Sequence, residues 1–263
     1  ATTHTTHSVQ LDNNMVKTVS SVKPSIREPE AHRKKRERNA ANEKKRVESS
    51  VALKKRNAAT RKKVLLRAQK YAKTLAAQNA TTEHLKKQAA DSGNYYVEPE
   101  AKLGFVVRVR GQRHVGPKAK KILDLLRLRQ VNNGVFIKLN KASTTLLRLV
   151  EPYIAYGYLD HETTRALIYK RGFAKVNGQR IPIVDNSVVE KALGEKYDHV
   201  CVEDVLNTIH TVGPHFKEVN NFLWPFKLRT PKGGYESIKK HFILGGSFGN
   251  REEYLSELIQ KML

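Results

Sequence analysis

Between Glu30 and Ser92 the chain runs without a single glycine or proline. Over residues 31–90 it carries nineteen Lys and Arg against four Asp and Glu, with Tyr71 as the only aromatic. So uniform a stretch cannot enclose a hydrophobic core, yet Ala, Lys, Arg, Gln and Glu are strong helix formers. It therefore reads as a long helix or as disorder. One thin apolar stripe favours helix: Val64, Ala68, Tyr71 and Leu75 recur at steps of four, three and four. A helix polar nearly all round needs a charged partner to lie on, and sixty helical residues would reach about 90 Å.

The whole chain has 49 Lys and Arg against 25 Asp and Glu, a formal net charge of +24. An excess of this size repels itself in a compact state, which points to a polyanionic partner, nucleic acid first. A merely solvated cationic surface would suit a few charges better. Three regions emerge: a polar tail at 1–27, expected to be flexible; a basic helical arm at 28–94; and an α+β core domain at 95–263. The single cysteine, Cys201, cannot form an intrachain disulfide and reads as a small buried hydrophobe in a reducing compartment. No apolar run approaches the roughly 20 residues of a membrane helix, and no signal-peptide h-region opens the sequence, so a soluble intracellular chain is expected.

Within 95–263, FVVRVRG (105–111) alternates apolar Phe105, Val107 and Val109 with Arg108 and Arg110, predicting a strand with one cationic face. Pro117 suits the first turn of a helix whose inward stripe is Ile122, Leu125, Leu126 and Arg129. VFIKLN reads as a second strand. KASTTLLRLVEPYIAYGY reads as a helix disturbed at Pro152, with Leu146, Leu149, Val150 and Ile154 inward. HETTRALIYKR is a helix ended by Gly172, and Asn177-Gly178 marks a hairpin. Capping-box spacings at Ser187/Glu190 and Asn250/Glu253 predict two further helix starts, and VCVEDVLNTIHTVG a helix between them. NNFLWPFKL reads as an edge strand that places Phe222, Trp224 and Phe226 on one face, hence in the core; stacking on unpaired bases is the competing reading. The sum is a small sheet with helices packed on one face.

Enzyme signals fail. HFILGGSFGN lacks the Lys-Ser/Thr of a phosphate-binding loop, and no HxxxH or CxxC spacing offers a metal site. The neighbours Glu203 and Asp204 point about 100° apart on a helix and cannot share a substrate. No cofactor, metal or small-molecule substrate is implied.

Candidate RNA-binding residues are instead cationic. Arg108, Arg110, Arg113, His114, Lys118, Lys120 and Lys121 cluster around one strand, turn and helix start, where guanidinium forks and backbone N–H groups suit phosphate. Lys170, Arg171 and Lys175 form a second group; Lys141, Lys227 and Arg229 are further candidates. On the arm the candidates are Arg33, Lys34, Lys35, Arg36, Lys44, Lys45, Arg46, Lys54, Lys55, Arg56, Arg61, Lys62 and Lys63.

The motifs GVFIKLNKASTTLLRLVEPYIAYGY, LIYKRGFAKVNGQRIPIVDNSVVEKALG, VCVEDVLNTIHTVGPHFKEVNNFLWPFKL and GGSFGNREEYLSELIQKM resemble the eukaryotic branch of the universal L-thirty family of large-subunit ribosomal proteins. The resemblance covers 95–263 closely and the arm more loosely; residues 1–27 have no counterpart in it. It implies a ferredoxin-like α+β core, rRNA binding and a part in ribosome assembly and translation. Neighbouring large-subunit proteins are the implied protein partners, with a cytoplasmic location after nucleolar transit. A sequence-independent chromatin binder remains the competing class, although it should lack the packed domain.

Overall fold

The structure, a computed structural model, describes residues 29–111, 113 and 115–263; the tail read at 1–27 and the candidate His114 lie outside the described residues. The chain divides into two units, residues 1–58 and 59–263, and one helix, α1 (Glu30–Asp91), runs through the boundary.

In the first unit every helical residue from Glu30 to Ala58 is exposed. Nothing apolar is gained there, and local support comes from i,i+4 ion pairs, Glu30 with Lys34 at 2.7 Å and Arg33 with Glu37 at 3.7 Å. Exposed pairs of this kind contribute a few tenths of a kcal/mol each, about enough to bias a helix but not to fix one.

The second unit opens on the remaining turns of α1. The expected stripe of Val64, Ala68, Tyr71 and Leu75 is half-buried while the surrounding residues are mostly exposed. There follow β1 (Leu103–Arg108), α2 (Pro117–Leu125), β2 (Asn133–Lys138), α3 (Lys141–Val150), β3 (Ile154–Gly157) and α4 (His161–Arg171). A hairpin, β4 (Phe173–Val176) and β5 (Gln179–Pro182), comes next, then the short helices α5 (Asn186–Val189) and α6 (Glu195–Tyr197), α7 (Val202–His210) and α8 (Phe216–Phe222). The chain closes with β6 (Phe226–Lys227), β7 (Gly249–Glu252) and α9 (Leu255–Met262).

The main sheet has the order β6-β2-β1-β3-β7, antiparallel except where β3 meets β7. Its central strand, β1, is buried at every position. Phe105 and Val107 join Phe136, Ala155 and residues of α4, α7, α8 and α9 in one core, whereas Val106 joins Val135, Ile154 and residues of α2 and α3 in another. Alternate residues of a strand point to opposite faces, so helices cover both faces of this sheet rather than one. Phe105, Phe136 and Phe226 meet edge to face, with centroids 5.0 to 6.1 Å apart. Gly134 is glycine because a Cβ there would enter the Phe105 ring.

Several expectations need correction. The stretch 141–158 is not one helix: α3 stops at Val150, Glu151–Tyr153 make a 3-10 turn around Pro152, and IAYG becomes β3. Proline cannot donate to a helical ladder and disfavours helix in the residue before it. Leu147 takes the core position and Leu149 is exposed. Helix α2 likewise ends at Leu125, so Leu125 is exposed and the inward pair is Ile122 and Leu123. Neither capping box forms. Asp185 precedes α5, Asn250 lies within β7, and the last helix starts at Leu255. The Asn177-Gly178 hairpin is present, with both residues at positive φ (50° and 77°) as a tight two-residue turn requires. Among the described residues no helix is long and apolar enough to cross a membrane.

Candidate nucleic-acid interface

The arm cations Arg33, Lys34, Lys35, Arg36, Lys44, Lys45, Arg46, Lys54, Lys55 and Arg56 are all exposed along the first unit's helix, as are Arg61, Lys62 and Lys63 at the start of the second. With 3.6 residues per turn, triplets such as Lys54, Lys55 and Arg56 fan out around the axis, which suits a partner that surrounds the helix more than one flat surface.

On the core domain the strand-and-turn cluster separates into two kinds of residue. Arg108 is only 1 % exposed, so the expected cationic face of β1 does not exist. Its Nε donates to the Arg110 carbonyl (2.8 Å), and its Nη1 donates to those of Leu128 (2.6 Å) and Arg129 (3.2 Å). Burial lowers its pKa, with Asp124 acting in the opposite direction. Arg108 is therefore a bracket that ties β1 to the loop after α2, not a phosphate ligand. Alternation misled here because the second sheet face also carries helices. Arg110 is half-buried, its guanidinium 5.5 Å from the Tyr153 ring. Arg113, Lys118, Lys120 and Lys121 are exposed where α2 begins. Gly116 offers no side-chain cap to that helix start, and Pro117 occupies its first turn.

Lys141 is exposed at the start of α3, where Asn140 and Ser143 form a capping box that satisfies the helix N–H groups. Lys170 and Lys175 are exposed, whereas Arg171 is half-buried with its Nη2 donating to the Leu263 carbonyl at 2.8 Å. Lys227 and Arg229 are exposed on and after β6.

Trp224 departs furthest from expectation. FLWPF is not a continuous strand: Phe222 ends α8, Leu223 bridges to Ala174, and only Phe226 and Lys227 are β. Phe222 and Phe226 are buried in the core, but Trp224 is half-exposed and belongs to neither core. It lies in a cleft of about 360 Å³ together with Lys175, Lys227, Arg127 and Arg129. Neither of the last two is a binding candidate from sequence, because LRLRQ looks like the end of a helix; Arg129, expected on its inward stripe, is exposed. In the structure Arg127 has φ 60° and turns the chain out of α2.

A second missed site is structural. Asp204 is buried, and its carboxylate accepts from Arg67 Nη1 (2.8 Å), Tyr71 Oη (2.7 Å) and the N–H groups of Val200 (2.8 Å) and Cys201 (3.2 Å). Burial alone would raise this carboxyl; the bonds from Val200, Tyr71 and Arg67, with the Arg67 charge, hold it below its ordinary value. Glu203 turns elsewhere, accepting from Tyr169 Oη at 2.6 Å and pairing with Arg165 at 3.1 Å. Burial pushes the Cys201 thiol up to about 11, away from reactivity.

Known proteins show the same organisation. Residues 28–99 match the family described as Ribosomal L30 N-terminal domain, and residues 105–154 match Ribosomal protein L30p/L7e. The large ribosomal subunit protein uL30 of Caenorhabditis elegans is 47% identical over 237 residues, 89% of this chain and 96% of that protein. Large ribosomal subunit protein uL30B of Schizosaccharomyces pombe is 51% identical over 81% of this chain and 86% of its own length. Identity of about one half over 81% or more of the chain makes it a member of the ribosomal protein L30p/L7e family.

Proposed function

We propose that the chain is a structural constituent of the large ribosomal subunit that binds and stabilises large-subunit rRNA and supports ribosome assembly and cytoplasmic translation. The relatives are large-subunit proteins by name, in a family of structural proteins rather than enzymes. The observation that carries the rRNA reading is the exposed helical run from Arg33 to Lys63, in which fourteen Lys and Arg outnumber three Glu. A helix of this composition gains stability from counterion release on a phosphate backbone. Arg113, Lys118, Lys120, Lys121, Lys141, Lys170, Lys175, Lys227 and Arg229 extend that contact over the core domain, Arg110 and Arg171 border it, and neighbouring large-subunit proteins would meet the remaining surface. Assembly begins in the nucleolus in this reading.

Binding of the full chain to purified large-subunit rRNA should weaken about a thousandfold or more between 50 and 200 mM salt, as expected for six or more phosphate contacts. Binding that ignores salt would contradict the proposal.

A further inference from the structure

We propose that the Trp224 cleft takes an unpaired nucleobase, which stacks on the indole while cations at the rim hold its flanking phosphates. This rests on the rRNA-binding reading above and adds to it a site for a single base.

Three observations converge. Trp224 is a large aromatic held half-exposed by its own backbone: its N–H donates to the Phe173 carbonyl at 2.8 Å, Pro225 follows, and buried Leu223 and Phe226 anchor both sides. That contact and the buried neighbours fix the backbone on both sides of the indole. Every charged residue lining the cleft is a cation. Arg127, Arg129, Lys175 and Lys227 line it, and no acidic side chain among the described residues does. An indole beside cations suits a planar base whose ribose is flanked by phosphates on both sides, as in a nucleotide within a strand. At about 360 Å³ the space lies at the small end of ligand sites, enough for one planar group.

The walls are prebuilt. Arg127 donates to the Leu223 and Asn220 carbonyls, both at 3.1 Å, tying the loop after α2 to the end of α8 beside the indole. Arg108 fixes the same loop from beneath through the carbonyls of Leu128 and Arg129. Gln130 and Asn133 bring amide groups to the lining, able to donate to or accept from a base edge. Such preorganisation lowers the ordering cost of binding.

Trp224 is the only tryptophan in the chain, so fluorescence excited selectively at tryptophan, beyond the absorption of the ten tyrosines, reports on this cleft alone. The full chain is titrated with a synthetic RNA hairpin that has an adenosine-rich single-stranded loop, and with a fully paired duplex of equal charge. Expected is saturable quenching by the hairpin, little by the duplex, and a 5- to 150-fold affinity loss for the hairpin in Trp224→Ala, equivalent to the usual stacking contribution of about 1–3 kcal/mol. Trp224→Phe should recover most of that affinity, and both variants should bind the duplex as the parent does. Tight hairpin binding with unchanged fluorescence would overturn the base site while leaving rRNA binding intact. Absence of salt-dependent binding to either RNA would overturn both readings. If Trp224→Ala does not fold, quenching of the parent by the hairpin and not by the duplex still decides.

Discussion

Replacing Asp204 with Ala removes the acceptor on which part of α1 and the start of α7 converge. The N–H groups of Val200 and Cys201 lose their carboxylate, worth about 1 kcal/mol as helix caps are. Tyr71 loses a charge-assisted bond at 2.7 Å, about 1.5 kcal/mol. Arg67 loses a bond at 2.8 Å but keeps Asp198, whose Oδ2 is 2.7 Å and carbonyl 2.6 Å away, so its loss is discounted to about 1 kcal/mol. Relief from burying a carboxylate returns part of the total, leaving about 3 kcal/mol. For a unit of this size that lowers the melting midpoint by about 6–12 °C. Denaturant unfolding followed by Trp224 fluorescence measures it. Tyr71→Phe should cost about 1.5 kcal/mol alone and almost nothing on top of Asp204→Ala, because both remove one bond. A loss below about 1 kcal/mol for Asp204→Ala, or strict additivity of the pair, would refute the network. Its pH dependence has a definite sign. Asp204 titrates lower in the folded state, so its contribution is present above the ordinary aspartate value of about 3.9 and is lost as pH falls through the folded value. Asp204→Ala should show a flatter stability profile in that acid range.

Arg108→Ala should destabilise the fold by roughly 3 kcal/mol through its lost carbonyl bonds, and RNA affinity should fall only as far as folding does; an unchanged melt with weakened RNA binding would restore it as a ligand. Replacing Lys118 and Lys121 together with Ala should reduce the salt slope of RNA binding by about 1.4 to 1.8, equally for unrelated sequences; a filter assay that finds one sequence singled out would mean base readout. Deleting residues 1–58 should leave the melting midpoint within a degree or two while sharply weakening rRNA binding, since every helical residue up to Ala58 is exposed; a large drop in midpoint would show the arm to be part of the core's stability.

Much of this was legible wherever local pattern decided the outcome. The stripe Val64, Ala68, Tyr71 and Leu75 marked the inward side of α1, and Asn177-Gly178 marked the hairpin. Legibility failed where tertiary context overrode alternation. Arg108 follows the period of a two-faced strand, but helices pack on both sides of β1, so its face is interior. Trp224 follows the period of Phe222 and Phe226, but the chain leaves α8 between them and the period lapses. Arg67 carried a usable signal, an arginine between Val64 and Tyr71 on the same helix side, but its partner Asp204 lies 137 residues away. Arg127 and Arg129 were hidden because the end of α2 depends on a left-handed Arg127 that no glycine announces.

The most direct test of the ribosomal assignment is sedimentation of the full chain from cell extract on sucrose gradients after a high-salt wash. The chain should stay with the large subunit through the wash; recovery in chromatin fractions, or at the top of the gradient, would contradict the assignment.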